Sequence, residues 1–274
     1  MSGVANRVCV VTGAARGLGR AIATALAGGG ARLALCDVLD DALEETAGAL
    51  RATGAEVLAA HCDVSDSGAV DGFFARVAEE LGPVEVLINN AALVPGGPGD
   101  EARRSRHYAW LTTPVPRDTL GFTSAMSDAE WLKYWGVNVH GLFFCTRAAL
   151  RQMEPARYGR IVNIASIAGL SNFSAHSPHY SATKGAVVAF TRSVGAEVAG
   201  ANVFVNAIAP GGVATPMFDA YLDRIGEEGR NRMFQFVPAG RLGRMEEYAS
   251  LALYLAGDNH YLAGQVISPN GGMF

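Results

Sequence analysis

The sequence predicts an α/β fold: a doubly wound parallel sheet with helices on both faces. Short runs of apolar and β-branched residues alternate with longer helical patterns along most of the chain, and glycine or proline stands at many of the junctions. The strand segments are almost continuously apolar, which is typical of parallel strands buried on both faces. Right-handed crossovers between such strands give a doubly wound sheet.

The elements follow one another in a regular order. Strands are predicted at residues 7–12, 32–36, 57–61, 84–89, 159–165, 203–208 and 265–268. Helices are predicted from the glycine-rich segment after the first strand to residue 27, and at residues 39–53, 67–81, 181–199 and 246–255. A capping box at residues 127–130 begins a further long helix towards residue 153. We find no internal repeat or linker and expect a single domain over residues 1–274.

Two segments interrupt the alternation. Residues 93–126 contain several prolines and glycines and a basic patch at Arg103, Arg104 and Arg106. We expect a long loop there, and loops above about 12–15 residues are usually functional or disordered. Its arginines lie on a solvated face or, alternatively, meet an acidic substrate. Residues 217–236 are rich in aromatic side chains and methionine, and we interpret them as a mobile segment.

Composition excludes several functional classes. Half of the 274 residues are hydrophobic, 18% are charged and the net charge is −4, which argues against disorder and against a nucleic-acid or membrane-surface partner. None of the four cysteines forms a CxxC pair, so we expect small buried side chains rather than a zinc or redox site. We find no secretory signal and no transmembrane segment, and we expect a cytoplasmic protein.

A glycine-rich loop, Thr-Gly-Ala-Ala-Arg-Gly-Leu-Gly at residues 12–19, joins the first strand to the first helix. Glycines let such a loop turn sharply and approach a pyrophosphate, whose charge is stabilised at the helix N-terminus. The G-x-x-x-G-x-G spacing differs from the usual G-x-G-x-x-G, and a plain tight turn is the alternative. The position directly after the first strand favours cofactor binding.

Acidic residues follow the second and third strands. Asp37 stands where a carboxylate hydrogen-bonds the adenosine ribose and repels a 2′-phosphate; capping the next helix is the alternative role. Arg16 favours the opposite cofactor, since a basic residue beside the glycines can pair with a 2′-phosphate. We weigh Asp37 more heavily and predict NAD. Asp63 can accept from the adenine amino group or serve as a turn residue.

A candidate acid/base group lies further along the chain. Tyr180 and Lys184 are four residues apart, on one face of a predicted helix. A neighbouring ammonium lowers the pKa of a phenol from its usual value near 10, which suits acid/base work near neutral pH. A Y-x-x-x-K pattern is common by chance. Ser166, however, follows the fifth strand, and open α/β sheets bind ligands at the carboxyl ends of their strands.

In this combination the chain resembles the short-chain dehydrogenase/reductase family over essentially its whole length. The matching motifs are the 12–19 loop, Asp37, Asp63, Asn89-Asn90-Ala91, Asn138, Ser166, Tyr180, Lys184 and the Pro-Gly-Gly-Val-Ala-Thr turn at residues 210–215. The resemblance implies a Rossmann fold and an oxidoreductase acting on CH–OH groups. It also implies a homotetramer, in which residues 264–274 resemble segments that contact a neighbouring subunit.

The resemblance further implies a role for each residue. Tyr180 would exchange a proton with the substrate oxygen, Ser166 would orient that oxygen, and Lys184 would hold the nicotinamide ribose and lower the Tyr180 pKa. Asn138 would anchor a water in a proton relay. With Tyr180 and Lys184, the cofactor contacts would be Gly13, Arg16, Gly17, Leu18, Gly19, Asp37, Asp63, Val64, Asn90, Ala91, Pro210, Gly211, Val213 and Thr215. No metal is required, because hydride transfer needs positioning and one tuned acid/base.

The sequence departs from the family pattern at two places. Ala92 replaces a glycine of the usual Asn-Asn-Ala-Gly, and the 93–126 insertion is longer than usual. Because the insertion follows the fourth strand, we expect it to help form the substrate pocket. Residues 217–236 would be the substrate lid, with Met217 and Phe218 as candidate contacts. His179, just before Tyr180, is a further candidate.

We therefore predict NAD-linked oxidation of a bulky, apolar or aromatic secondary alcohol, or the reverse ketone reduction. The aromatic side chains of the lid and the insertion favour an apolar cleft, although packing of the lid or a subunit interface explains them equally well. The first alternative is an NADPH-dependent 3-ketoacyl reductase, favoured if Arg16 outweighs Asp37. A remoter one is a non-catalytic nucleotide-sensing protein on the same fold.

Overall fold

A computed structural model describes residues 3–273; the side chains of Pro216 and Met217 are not among those described. The strands of its sheet are β1 (Val8–Thr12), β2 (Arg32–Asp37), β3 (Val57–His61), β4 (Val86–Asn89), β5 (Gly159–Ile164), β6 (Val203–Ile208) and β7 (Val266–Ile267). They form one sheet in the order β3-β2-β1-β4-β5-β6-β7, and every neighbouring pair is parallel. The predicted doubly wound parallel sheet is confirmed.

Helices connect the strands. They are α1 (Gly17–Gly28), α2 (Asp40–Arg51), α3 (Ser67–Glu80), α4 (Pro98–Leu111), α5 (Asp128–Trp135), α6 (Leu142–Ala156), α7 (Pro178–Val198), α8 (Pro216–Phe234) and α9 (Met245–Ala256). Ser127 caps α5 by accepting a hydrogen bond from the Glu130 amide at 3.2 Å, as the capping box predicts. The predicted long helix is interrupted by a π-helical turn over Gly136–Gly141, between α5 and α6.

Alternate strand residues face two separate cores. Val11 belongs to the layer beneath α1, α2 and α9, whereas Val10 belongs to the layer beneath α3, α6 and α7. Both side chains are fully buried, because a parallel sheet with helices on each face leaves neither side to solvent. This explains why the strand sequences are apolar throughout instead of alternating with polar residues.

The structure bears on two expectations drawn from the composition, concerning the cysteines and membrane-spanning helices. All four cysteines are buried and free, as the sequence predicts, and they contribute to the two cores. Within residues 3–273, no helix has the length and apolarity needed to cross a bilayer.

Both irregular segments contain helices that the sequence pattern did not indicate. Residues 93–126 hold α4, whose first turn is fixed by the Asp100 carboxylate accepting hydrogen bonds from the Gly96 and Gly97 amides. Most of the 217–236 segment is α8, which is kinked at Gly226 with a φ of +66°. The expectation of a long loop at 93–126 is therefore wrong in part. Its prolines and glycines lie before α4, in the first turn of α4, or after its end.

A chain of buried amides joins the strands to the helices near the carboxyl edge. Asn89 donates to the Thr146 hydroxyl at 3.0 Å and to the Asn163 carbonyl oxygen at 2.9 Å. Asn163 in turn donates to the Thr191 hydroxyl at 2.9 Å. These bonds tie β4 and β5 to α6 and α7. Each is formed away from water, so losing one leaves a buried polar group unpaired.

This network yields a stability prediction. Asn163→Ala should lower the free energy of unfolding by about 2 kcal/mol, because it removes two buried hydrogen bonds and leaves the amide of Asn89 short of an acceptor. Asn231→Ala, at an exposed asparagine of α8, should change it by less than about 0.5 kcal/mol. Urea unfolding followed by circular dichroism measures both. Equal effects of the two variants would contradict the role assigned to the network.

Candidate active site

The predicted site residues converge on one edge of the sheet. The glycine loop follows β1, Asp37 ends β2, Asn90 follows β4, Ser166 follows β5 and the 210–215 turn follows β6. Because all the strands are parallel, their carboxyl ends lie along the same edge. Residues far apart in sequence are thus brought to one crevice.

The glycine loop requires its glycines. Gly13 and Gly17 have φ values of +65° and +58°, in the left-handed region that favours glycine. A Cβ at Gly19 would lie 2.1 Å from the Gly13 carbonyl oxygen and 2.5 Å from the Asn90 side-chain nitrogen. The start of α1 therefore packs directly against the loop and the end of β4. Such a turn brings backbone N–H groups to the helix N-terminus, where a pyrophosphate binds.

Asn90 fastens the end of β4 to this loop. Its amide nitrogen donates to the carbonyl oxygens of Thr12 and Gly13, at 3.1 and 2.9 Å. In the other direction, the Thr12 hydroxyl accepts from the backbone amides of Asn90 and Ala91, at 3.1 and 3.0 Å. Thr12 was not predicted to have this positioning role. Its signal was a hydroxyl residue at the end of an otherwise apolar strand.

Asp37 is held by backbone amides on both sides. One carboxylate oxygen accepts from the Ala15 amide of the glycine loop at 3.0 Å, and the other accepts from the Val38 and Leu39 amides. The residue that caps α2 is Leu39, so Asp37 does not serve as the helix cap that its position also allowed. Arg16 is exposed and forms no ion pair with any described residue.

Asp63 has the local contacts of a turn residue. Its carboxylate accepts hydrogen bonds from both the amide and the hydroxyl of Ser65, at 2.9 and 2.8 Å. The cap of α3 is instead Asp66. Val64 is buried, and its side chain occupies the space beside Gly141 where a Cβ would lie. The predicted contact of Asp63 and Val64 with adenine stays a prediction.

Tyr180 and Ser166 lie side by side at the carboxyl end of β5. Burial raises the pKa of the Tyr180 phenol above its usual value, and the neighbouring Ser166 hydroxyl opposes part of this rise. The Ser166 hydroxyl is held in place by a hydrogen bond that it accepts from the Ala168 amide at 3.1 Å. The expected lowering of the Tyr180 pKa by Lys184 is thus absent from this arrangement of the described residues.

Lys184 lies under the Tyr180 ring. Its ammonium nitrogen is 5.8 Å from the ring centroid and donates to the Ile164 carbonyl oxygen at 2.7 Å. The side chain is only 3% exposed, and this burial lowers the pKa of Lys184 to about 8. The lysine is therefore aimed at the end of β5, below the phenol and not directly at its oxygen.

Asn138 joins the insertion to α7 from the π-helical turn. Its carbonyl oxygen accepts from the Leu93 amide at 2.7 Å. Its nitrogen donates to the Leu93 carbonyl oxygen at 3.0 Å and to the Thr183 hydroxyl at 3.1 Å. It thereby fixes the first residue of the 93–126 segment beside the turn of α7 that carries Tyr180. The implied role in a proton relay stays a prediction.

The turn at residues 210–215 is fixed by backbone bonds. The Pro210 carbonyl oxygen accepts from the Ile167 amide at 2.9 Å, which places the turn beside Ser166. The Gly211 amide donates to the Pro269 carbonyl oxygen, and Val213 bridges to Gly243. Thr215 then caps α8 by accepting from the Phe218 amide at 3.2 Å. The 210–215 turn of the site thus leads directly into α8, the helix of the predicted lid.

His179 does not line an open cleft, which corrects the prediction of a substrate contact. Its side chain has no exposed surface and meets the Tyr134 ring edge-on at 4.1 Å between centroids. Burial lowers the pKa of His179, and its Nε2 lies 3.8 Å from a Glu130 carboxylate oxygen. The imidazole therefore belongs to the packing between α5 and α7.

Ligand atoms of His179, Glu130 and Asp100 lie within 4.8 Å of one another, as in some metal sites. Here the Arg103 guanidinium forms ion pairs with both carboxylates. An arginine therefore neutralises part of the negative charge of this cluster.

The aromatic side chains of the lid and the insertion pack against each other. Tyr221 is buried in a cluster to which Phe218 and Tyr108 also contribute. Tyr108 stacks on Phe236 with ring centroids 6.4 Å apart. Packing thus accounts for much of the aromatic content, as the alternative interpretation held. The side chain of Met217, the other candidate contact, lies outside the described residues.

Sequence comparison decides the family. A family model described as short chain dehydrogenase matches residues 7–225. The chain belongs to the short-chain dehydrogenase family. It is accordingly an oxidoreductase that acts on alcohol or ketone groups with a nicotinamide cofactor.

Relatives of this short-chain dehydrogenase align along its whole length. The (2S)-[(R)-hydroxy(phenyl)methyl]succinyl-CoA dehydrogenase subunit BbsD of Thauera aromatica is 32% identical, over 98% of this chain and 97% of that protein. The 3-oxoacyl-[acyl-carrier-protein] reductase FabG of Escherichia coli is 30% identical, over 98% of both. Among solved structures, a putative gluconate dehydrogenase from Agrobacterium tumefaciens has a TM-score of 0.84 at 30% identity, covering 98% of this chain and 96% of that one.

The buried lysine yields a pH prediction. Between pH 8 and about 10.4 the unfolded chain keeps a proton on Lys184 that the folded chain has lost, so its contribution to the free energy of unfolding rises with pH in this window. The gain should reach about 3 kcal/mol at pH 10.5, and Lys184→Met should lack it. Urea unfolding without cofactor measures the difference between wild type and variant. Lys133→Met, at an exposed lysine, is the control; a pH-independent difference for Lys184→Met would contradict the assignment.

Proposed function

We propose that this enzyme catalyses NAD-linked oxidation of a bulky secondary alcohol, or reduction of the corresponding ketone, with Tyr180 as acid/base. The observation that carries the proposal is the grouping of Ser166, Tyr180 and Lys184 at the carboxyl end of β5. A nicotinamide cofactor, when bound, accepts or supplies the hydride. The chain then has to orient the substrate oxygen and move one proton.

The described residues fit a dinucleotide. The loop approaches so closely at Gly19 that no side chain fits, as close backbone packing beneath a pyrophosphate requires. Asp37 presents a carboxylate beside that loop. Lys184 is a buried cation with a neutral carbonyl as its hydrogen-bond partner, so further donors of its ammonium are free for hydroxyl groups of a ribose.

The chain's own residues divide the work. Ser166 donates a hydrogen bond that orients the substrate oxygen. Tyr180, whose pKa is raised by burial, is a neutral phenol at neutral pH and can give its proton to a ketone oxygen. In the oxidation direction, the phenol oxygen of Tyr180 must first lose its own proton. The resulting phenolate then accepts the proton of the alcohol hydroxyl. A bound cationic nicotinamide ring would favour that phenolate.

Tyr180 provides the direct test of this mechanism. Tyr180→Phe should lower kcat/KM by about 10²–10⁴, the range typical of removing a general acid, while the Kd for NADH stays within about twofold. Ketone turnover and calorimetric titration of the cofactor measure the two effects. Tyr254→Phe, at a half-exposed tyrosine of α9, is the matched control. Substantial activity in Tyr180→Phe would refute the role.

The preference for NAD rests on Asp37. Its carboxylate is fixed by the Ala15 and Val38 amides at the end of β2, where a 2′-phosphate would meet a negative charge. Arg16 has no carboxylate partner among the described residues and is the feature that favours the phosphorylated cofactor.

Replacing that carboxylate should change the cofactor preference. Wild type should turn over NADH faster than NADPH, and Asp37→Ser should reduce the ratio of the two kcat/KM values by about 10–100-fold. Asp40→Ser removes an exposed carboxylate that pairs with His61 and should leave the ratio unchanged. A wild-type preference for NADPH would refute the proposal of NAD.

A second candidate is an NADPH-dependent 3-ketoacyl reductase. The observation that favours it is the 30% identity to the Escherichia coli 3-oxoacyl-[acyl-carrier-protein] reductase, together with the unpaired Arg16. The name of the Thauera aromatica relative instead describes a hydroxyl beside a phenyl group, which supports an aromatic secondary alcohol. The homotetramer and the cytoplasmic location stay predictions.

A further inference from the structure

Arg104 of α4 lies where three parts of the candidate pocket meet. Its guanidinium donates to the carbonyl oxygen of Pro95, in the segment after β4, at 3.1 Å. It lies over the rings of Tyr221 and Phe218 in the first turns of α8, 5.0 and 5.7 Å from their centroids. His176, in the connection from Ser166 to Tyr180, has its pKa lowered to about 3, mainly by burial and next by the Arg104 charge.

Carboxylates neutralise Arg103 and Arg224 on either side of Arg104, whereas Arg104 has no such partner among the described residues. Arg103 pairs with Asp100 and Glu130, and Arg224 of α8 pairs with Glu101. Among the side chains described in residues 3–273, no carboxylate forms an ion pair with Arg104. Its one neutral hydrogen bond leaves most of its five N–H donors without a protein acceptor.

The environment of Arg104 increases the effect of this charge. The cation is half-buried against aromatic faces, and Tyr108 beside it is so buried that its pKa is raised to about 12. A low local dielectric strengthens a charge-assisted bond to an incoming anion. Guanidinium binds carboxylate and phosphate in a bidentate fashion, which gives direction as well as affinity.

We propose that Arg104 binds an anionic oxygen group of the substrate, at the opposite end of the molecule from the carbon that exchanges hydride. The inference rests on the oxidoreductase function proposed above and names its substrate class: an aromatic or acyl body with an oxyanion. Phe218 connects the two ends, because its ring lies under Arg104 and its amide donates to the Thr215 hydroxyl at the end of the 210–215 turn. The oxyanion is a carboxylate of the substrate itself or a phosphate of a carrier thioester.

Two matched pairs of ketones distinguish the effect of substrate charge from that of substrate shape. They also distinguish a carboxylate from a phosphate as the bound anion. The first pair is 4-acetylbenzoate and the neutral 4-acetylbenzamide. The second is acetoacetyl-coenzyme A and the neutral acetoacetyl-N-acetylcysteamine. For each compound, kcat/KM with NADH and with NADPH, and Kd by calorimetry, are measured for wild type, Arg104→Met and Arg104→Lys. The control is Arg106→Met. Arg106 is an exposed arginine on the same helix as Arg104, and its guanidinium lies over the Phe122 ring.

Wild type should favour the charged member of at least one pair, and that pair identifies the anion. Arg104→Met should weaken binding and turnover of that member at least tenfold and change its neutral partner by less than twofold. Arg104→Lys should retain part of the preference for the charged compound, because lysine keeps the positive charge but lacks the bidentate geometry of the guanidinium. Arg106→Met should behave as wild type.

Three results decide the proposal. Equal losses of binding and turnover for the charged and the neutral compounds in Arg104→Met would show that Arg104 only holds α4 and α8 together, and would overturn the proposal. So would a wild type that binds neither charged compound more tightly than its neutral partner. If wild type binds a charged compound through Arg104 but reduces no ketone with either cofactor, the anion site stands and the proposed function fails.

Discussion

Parallel pairing of the central strands is the constraint on which the site depends. Asn89 of β4 is in register with Asn163 of β5, and Ile164 of β5 with Ile208 of β6. Because the strands run the same way, the residues that follow them must all emerge at one edge. The buried amide chain from Asn89 to Thr191 fixes this register by joining the strands to α6 and α7. A slip of one residue would separate these amides and turn the apolar side chains to the wrong core.

The same edge determines the electrostatics of Tyr180 and Lys184. Lys184 is anchored to the backbone of β5 through the Ile164 carbonyl oxygen, so α7 and β5 carry the lysine and Ser166 in a fixed relation. Burial acts on both ionisable groups in the direction of the neutral form: it raises the pKa of Tyr180 and lowers that of Lys184. The pair is thus least charged when water is excluded, and a bound cationic cofactor would bias it towards the phenolate.

The sequence contains most of the fold because its strands are short, apolar and separated by helical patterns. β3 and β6 have the predicted bounds, and most of the other strands differ by one or two residues at an end. The helices α4 and α8 were not foreseen. Their sequences are polar or interrupted by glycine, and they are stabilised largely by contacts that a one-dimensional pattern does not show, such as the ion pair between Arg224 and Glu101.

The site residues divide in the same way. The positions of Gly19 and Asp37 at the carboxyl edge were predictable because they follow from the backbone geometry of the loop and from the end of a strand. The burial of His179 was not, because it depends on Tyr134 and on the Arg103 ion pairs that draw α4 and α5 together. Most acidic side chains of this α4–α5–α8 region are matched by an arginine, and the pairing orders segments whose own helix-forming tendency is weak. Arg104 lies inside that assembly without an acid of its own. A cation held against aromatic rings, and left without a counter-charge by a fold that pairs Arg103 and Arg224 beside it, is complementary to an anion that the chain does not itself supply.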